Sequence, residues 1–222
     1  MKYHSAFEII GPAMVGPSSS HTAGAVRIGN VARQVLGETP VEADFMLTGS
    51  FAETYRGHGT DVALLAGILS LTTEDERVPD APQLASDAGL RYQFRTGSLG
   101  FYHPNTVSVS LRGATTSTSL IASSFGGGKI EVQELEGLPV RLSGERPTLV
   151  LYHRDNKGFL AAVSQTLHSN GYNIVRLNLE RQSRGGDAIT AVEVDDDVDS
   201  ALPAQLKANI PGLRDVRIVR TL

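Results

Sequence analysis

The hydrophobic and polar positions in the first part of the chain predict three helices and several strands. Apolar residues recur at helical spacing over 21–36, and Gly37 stands where a left-handed C-terminal cap belongs. A second helix is predicted over 60–71, and a short one follows the cap-like sequence Asp80-Ala81-Pro82. The predicted strands are 41–47, 90–95, 106–112, 115–122 and 129–135. This mixture indicates an irregular α+β domain.

The pattern becomes more regular after a stretch from Gly137 to Pro147 that is rich in glycine and proline. Here alternating and helical patterns follow each other in the order strand, helix, strand, strand, helix, strand. The predicted elements are 148–152, 158–168, 172–179, 188–194, 199–208 and 214–220. This βαββαβ order is the ferredoxin-like arrangement. We therefore expect two domains, over 1–143 and 146–222.

Composition and charge exclude several classes of function. The chain has 222 residues and a formal charge of -4, and its arginines are scattered, so nucleic acid is not an expected partner. No apolar stretch has the length of a membrane helix, and the first residues resemble no signal peptide, so we expect a cytoplasmic protein without a membrane partner. Because the chain has no cysteine, disulfides, thiolate metal sites and cysteine nucleophiles are excluded.

The candidate chemistry begins in the run Gly16-Pro17-Ser18-Ser19-Ser20-His21-Thr22, at the mouth of the first predicted helix. The first backbone N–H groups of a helix lack partners and carry a positive partial charge, so hydroxyls placed there help to bind a carboxylate or phosphate. The imidazole of His21 can move a proton beside such an anion. The alternative is a serine N-cap among solvated turn residues.

Two further polar turns contain a histidine. His58 lies between glycines and shortly before Thr60, which begins the second helix, while His103 and Asn105 flank a proline before a strand. Each turn alone also fits a structural role, as a helix cap or a His-Pro turn. Three histidines beside hydroxyl or amide groups at element ends together favour a functional site.

The sequence gives little support for a bound zinc ion, a phosphate-binding loop or pyridoxal phosphate. Three imidazoles are enough to bind zinc, but no close histidine pair indicates such a site. The sequence from Ser123 to Ile130 departs from a phosphate-binding loop at both ends, so its three glycines indicate a hairpin turn. The four lysines lack the company expected around pyridoxal phosphate. We therefore predict no metal held by this chain.

Six motifs in one order resemble the beta chain of iron-sulfur-dependent L-serine dehydratase. They are the stretches 7–12, 16–24, 49–55, 57–61, 103–106 and 126–130. The resemblance spans nearly the whole chain. It implies a first domain similar to the allosteric-substrate-binding domain of some phosphoglycerate dehydrogenases and a C-terminal ACT domain. It also implies a separate alpha chain that holds a [4Fe-4S] cluster, the two chains together converting L-serine to pyruvate and ammonia.

The resemblance also suggests roles for particular residues. Elimination from serine needs a Lewis acid at the hydroxyl, which the partner's iron supplies, and a base near Cα. The expected catalytic residues are His21, His58 and His103. The expected substrate-binding residues are Ser18, Ser19, Ser20, Thr22, Thr60 and Asn105. In the ACT domain an amino-acid site or a pairing surface is expected at Asn156, Gly158, Phe159, Asn173 and Ile174.

An alternative function stays open at the level of sequence. The chain also fits a regulatory module that binds an amino acid for a dehydrogenase and has no catalytic residues of its own. For the dehydratase subunit, self-association through the ACT domain or the N-terminal domain is also expected. A cysteine-rich, brown partner distinguishes the dehydratase subunit from this regulatory module.

Overall fold

The computed structural model describes residues 11–222, and the chain divides into two units between Gly137 and Leu138. Each unit contains a β-sheet and helices, so the predicted α+β class is confirmed. Residues 7–10 of the first family-like motif lie outside the described residues.

The first element in the described part of the first unit is one π-helical turn, Ser19–Ala23, that continues directly into helix α1. The helices are α1 (Gly24–Leu36), α2 (Gly49–His58), α3 (Thr60–Ile68) and α4 (Ala81–Asp87), the last preceded by a 3-10 turn at Val78–Asp80. The strands are β1 (Glu42–Thr48), β2 (Arg91–Thr96), β3 (Thr106–Arg112), β4 (Ser117–Gly126) and β5 (Lys129–Leu135). They neighbour one another in the order β2-β1-β3-β4-β5, and only β1 and β2 run parallel among the pairs described.

Helix α1 packs directly on α3 because glycines replace side chains where the two backbones meet. A Cβ atom on Gly29 would lie 2.5 Å from the carbonyl oxygen of Leu64, and one on Gly67 would overlap the carbonyl oxygen of Val26. At the far end of α3, Arg33 donates a hydrogen bond to the carbonyl of Ile68 at 3.0 Å. Carbonyls at a helix end lack intrahelical partners, so this bond ties the end of α3 to α1.

The second unit begins with strand β6 (Leu138–Leu142). It continues with β7 (Thr148–Arg154), α5 (Phe159–Ser169), β8 (Ile174–Arg181), β9 (Asp187–Val194), α6 (Leu202–Asn209) and β10 (Leu213–Val219). The sheet order β10-β7-β9-β8, with every pair antiparallel, is the ferredoxin-like arrangement and confirms the βαββαβ prediction. Apolar residues of α5, α6 and the sheet form its core, among them Leu151, Val163, Val192 and Leu206.

Two elements escaped the sequence analysis, and two helices, α3 and α6, are shorter than expected, α6 beginning at Leu202 instead of residue 199. Helix α2 buries only Phe51, so its sequence lacks the apolar periodicity that reveals a helix. Strand β6 is five residues long and lies within the segment interpreted as a linker. Helix α3 ends at Ile68 instead of residue 71, and Ser70 just beyond it adopts a left-handed conformation with φ of 64°.

We expect the substitution Gly67→Ala to destabilise the first unit, because the added methyl group meets backbone atoms that cannot move aside. The free energy of unfolding should fall by about 1–3 kcal/mol or more, as in other overpacked cores. Gly57→Ala is the matched control, since a Cβ there meets nothing within 4 Å, and it should be neutral or stabilising by up to about 1 kcal/mol. Equal stability of the two variants in urea denaturation would contradict the close α1–α3 packing.

Candidate active site

The polar run before α1 forms a π-helical turn. Ser18 is its N-cap: the Ser18 side chain accepts a hydrogen bond from the backbone N–H of His21 at 3.2 Å. The N–H of Gly24 bonds to the carbonyl of Ser19, which is the five-residue spacing of a π-helix. His21 and Thr22 are buried in this turn. The wider turn therefore places an imidazole and a hydroxyl inside the unit. An ordinary helix start would expose its first residues instead.

Both ring nitrogens of His21 lie beside serine hydroxyls. Nδ1 lies 3.0 Å from the hydroxyl of Ser20, and Nε2 lies 3.3 Å from the hydroxyl of Ser50 at the start of α2. Ser18 extends this group, with its oxygen 3.3 Å from that of Ser20. A neutral imidazole donates at one nitrogen and accepts at the other, so the two hydroxyls hold the ring in one orientation.

His58, the last residue of α2, contacts the ring of His21. The two ring centroids are 4.8 Å apart, and Phe51 meets His21 edge-on at 5.1 Å. Burial lowers the pKa of His21 below 6.5, and the charge of His58 lowers it further, while a backbone hydrogen bond at Ser50 acts in the opposite direction. His21 is therefore neutral at pH 7.

Several buried polar atoms near these turns have no hydrogen-bond partner among the described residues. They include Nδ1 of His58 and the hydroxyls of Thr22, Thr60 and Ser124. The hydroxyl of Ser124 lies where a side chain on Gly24 would have to be, so it faces the beginning of α1. A buried polar group without a partner costs about 1–3 kcal/mol, so each of these groups calls for an explanation, such as a ligand, an ordered water or a catalytic role.

The third polar turn is joined to the other two through the backbone. The carbonyl of Pro104 accepts a hydrogen bond from the N–H of Phe51 at 3.3 Å, and Phe51 directly follows Ser50 in the chain. Gly49 permits this contact, because its φ is 56° and a Cβ would lie 2.6 Å from the Pro104 oxygen. Asn105 exchanges hydrogen bonds with the backbone of Ser124. The ring of His103 packs on Phe125, with centroids 4.8 Å apart.

The triple glycine forms the hairpin turn between β4 and β5, as predicted. The N–H of Gly127 donates to the hydroxyl of Ser19 at 3.1 Å, and Arg27 of α1 donates to the carbonyl of Gly128 at 2.8 Å. Ser19 therefore tethers this hairpin to the π turn, while its neighbours Ser18 and Ser20 lie close to His21.

Two residues of the site were not singled out from the sequence. Ser50 contacts His21, and Ser124 faces the start of α1. The only signal for Ser50 is its place in the family-like stretch 49–55, because the helix that contains it has no apolar pattern.

The second unit contains a separate pocket of about 340 Å³ at the beginning of α5. Asn156, Gly158 and Phe159 line it. Asn173 and Ile174 do not line this pocket. They lie at the beginning of β8, where Asn173 donates a hydrogen bond to Asp195 at 2.7 Å and Ile174 pairs with Val194. The structure therefore brings three of the five expected residues together at this pocket.

A buried histidine forms part of the same pocket. His153 stacks on Phe159 with ring centroids 3.5 Å apart, and its Nδ1 and Nε2 lie 2.8 Å from the Arg154 carbonyl and the Thr190 hydroxyl. Burial lowers its pKa below 6.5, so the ring is neutral at pH 7 and gives the pocket an uncharged aromatic wall.

Within residues 11–222, no three His, Asp or Glu side chains come together in a group that could bind a metal ion. None of the helices in this described part is long and apolar enough to cross a membrane.

Comparison with known proteins identifies the family. Residues 5–94 match the family model of the serine dehydratase beta chain. The probable L-serine dehydratase beta chain of Bacillus subtilis is 42% identical over 216 residues, which cover 97% of this chain and 98% of that protein. The L-serine dehydratase beta chain of Peptoniphilus asaccharolyticus is 40% identical over 96% of this chain and 95% of its own length.

A weaker similarity extends to another enzyme. The D-3-phosphoglycerate dehydrogenase of Synechocystis is 25% identical over 196 residues, covering 87% of this chain but only 35% of the dehydrogenase. The beta-chain relatives are more similar and match from end to end. The chain therefore belongs to the serine dehydratase beta chain family.

Proposed function

We propose that this chain is the beta subunit of a [4Fe-4S]-dependent L-serine dehydratase that converts L-serine to pyruvate and ammonia. The observation that carries the proposal is the contact of His21 with His58, together with the serine hydroxyls at both nitrogens of His21. The full-length similarity to two L-serine dehydratase beta chains supports the substrate.

In this proposal the π turn binds the carboxylate of serine. Ser18, Ser20 and Thr22 place three hydroxyls at the beginning of a helical segment, where backbone N–H groups and the helix dipole favour an anion. Thr60 contributes a fourth hydroxyl at the beginning of α3. The Ser19 hydroxyl shapes the turn instead, since it accepts from Gly127.

We assign removal of the Cα proton to His58. Its Nδ1 has no hydrogen-bond partner in the described chain, whereas both nitrogens of His21 are engaged by hydroxyls. His21 then positions His58 through the contact between the two rings. The elimination breaks the Cα–H and Cβ–O bonds, and the resulting enamine becomes an imine that water hydrolyses to pyruvate and ammonia. His103 and Asn105 stabilise the strand end beside the site: His103 packs on Phe125, and Asn105 donates a hydrogen bond to the backbone of Ser124.

The iron-sulfur cluster does not fit this chain and is assigned to the alpha chain. Clusters of this kind are held by cysteine thiolates, and the sequence contains no cysteine. The partner's cluster supplies the Lewis acid for the serine hydroxyl in this proposal. We further propose that the enzyme acts in the cytoplasm and that the beta chain also associates with itself.

We propose that the second unit is an ACT domain that binds an amino acid in the pocket at the beginning of α5. Its ferredoxin-like topology supports this assignment. Asn156 offers amide hydrogen-bonding groups beside the pocket, and the stacked rings of His153 and Phe159 form an uncharged wall. A small amino acid fits the pocket volume of about 340 Å³.

The first prediction from this proposal concerns turnover by the two-chain enzyme. His58→Ala should lower kcat by about 10²–10⁴, the usual contribution of a general base. Ser50→Ala should cause a smaller loss, because it loosens the His21 ring without removing the base. His168→Ala, on an exposed part of α5, serves as the control. Turnover of His58→Ala close to that of the wild type would contradict the assignment.

The second prediction concerns the titration of His21 in the isolated chain, followed by NMR of labelled histidine rings. The pKa of His21 should lie below 6.5, because burial disfavours the imidazolium. His58→Gln should raise this pKa by removing the nearby charge, yet leave it below 6.5 because burial, the larger cause, remains. An unchanged pKa in this variant would show that the two rings do not interact electrostatically.

The third prediction concerns the pocket of the second unit. Isothermal titration of the full chain with L-serine should give heat at millimolar ligand, and Asn156→Ala should weaken that binding because it removes the amide at the pocket. Asn173→Ala, at the other end of β8, is the matched control and should bind as the wild type does. Equal weakening in both variants would argue against a site at α5.

A different assignment would follow from copurification of a dehydrogenase instead of a cluster-bearing chain. The similarity to the phosphoglycerate dehydrogenase of Synechocystis provides the specific reason to examine this outcome. A brown, cysteine-rich partner supports the dehydratase, whereas a colourless dehydrogenase partner supports a regulatory module.

A further inference from the structure

The side chain of Phe101 is completely exposed, at 109% of its reference area. The other exposed large apolar side chains among the described residues reach at most 43%. Phe101 is the central residue of a tight turn in which the N–H of Tyr102 bonds to the carbonyl of Gly100 at 3.1 Å. Gly100 has φ of 93°, a conformation that favours glycine. The backbone itself therefore presents the ring to solvent.

The loop that bears Phe101 is anchored on both sides. Gly97 donates a hydrogen bond to the carbonyl of Leu47 in β1 at 3.0 Å, and the hydroxyl of Tyr102 bonds to Glu134 of β5 at 3.4 Å. Pro104 accepts from Phe51 of α2. An anchored loop loses little conformational freedom on binding, so its ring is suited to act as a preorganised contact.

The loop also lies close to the candidate active site. Phe101 is two residues from His103, and Pro104 bonds to the residue that follows Ser50, whose hydroxyl contacts His21. Two consecutive peptide units span at most about 7 Å. A protein surface that covers the Phe101 ring would therefore also lie at the edge of the site.

The composition of the loop favours burial against another protein. Residues 97–105 contain no Asp, Glu, Lys or Arg, so covering the loop removes none of these charges from water. Centres of protein interfaces are likewise poor in charged residues and rich in aromatic anchors. A ring of this kind at the edge of a catalytic site fits an apolar pocket on the chain that completes the site.

We propose that Phe101 anchors this subunit to the cluster-bearing alpha chain by inserting its ring into an apolar pocket of that chain. The inference rests on the proposed function, since only that function requires such a partner. A second copy of this chain is the alternative occupant. It is disfavoured because this chain supplies no cysteine to hold the cluster, so the surface beside its site must face the chain that does.

The experiment measures the affinity between the purified beta chain and its cognate [4Fe-4S] alpha chain under anaerobic conditions. Phe101→Ala should weaken binding by at least about tenfold, as truncation of an aromatic anchor does. Phe101→Leu should retain part of the affinity. Melting temperature and circular dichroism should stay unchanged in the isolated chain, because the exposed ring makes no contribution to its core. Tyr92→Ala, which removes another exposed aromatic ring of the first unit, is the control.

Two results would overturn the inference while leaving the dehydratase assignment intact. One is wild-type affinity of Phe101→Ala for the alpha chain. The other is weakened self-association of the beta chain in sedimentation velocity together with unchanged binding of the alpha chain. Failure of the wild-type chain to bind the alpha chain would instead overturn the proposed function and this inference together.

Discussion

The close contact of α1 with α3 at Gly29 and Gly67 is the constraint on which the candidate site depends. Each of the two central histidines lies shortly before one of these helices: His21 lies in the turn before α1, and His58 is separated from α3 by one glycine. Because the backbones touch without intervening side chains, each helix has a fixed position relative to the other, and so does the turn that precedes it. The contact between the two imidazoles follows from this packing.

Burial then determines the chemical state of the site. His21 is only 8% exposed, which lowers its pKa and keeps the ring neutral beside His58. The same burial leaves the hydroxyls of Thr22, Thr60 and Ser124 without partners in the described chain. These groups reduce the stability of the subunit alone, a cost that a polar ligand at the site would offset.

Most secondary structure was predictable because most elements have either an amphipathic pattern, as α1 does, or a short apolar run, as α3 and β9 do. Helix α1, the hairpin of β4 and β5, and the βαββαβ order of the second unit all follow from apolar periodicity and glycine positions. Helix α2 was not predictable, since it buries one residue and is positioned by contacts with the His103 loop and the π turn. Ser50 was not predicted as a site residue either, because the sequence does not reveal the helix that positions its hydroxyl.

The sequence by itself determined the α+β class, the βαββαβ order of the second unit and the family, and it identified three polar turns that contain histidines. Only the tertiary structure decided how these turns relate. His21 and His58 touch, whereas His103 packs on Phe125 and joins the site through the backbone of Pro104. The physical reason is that periodicity reports which face of an element is buried, whereas a contact between distant turns depends on how the elements pack.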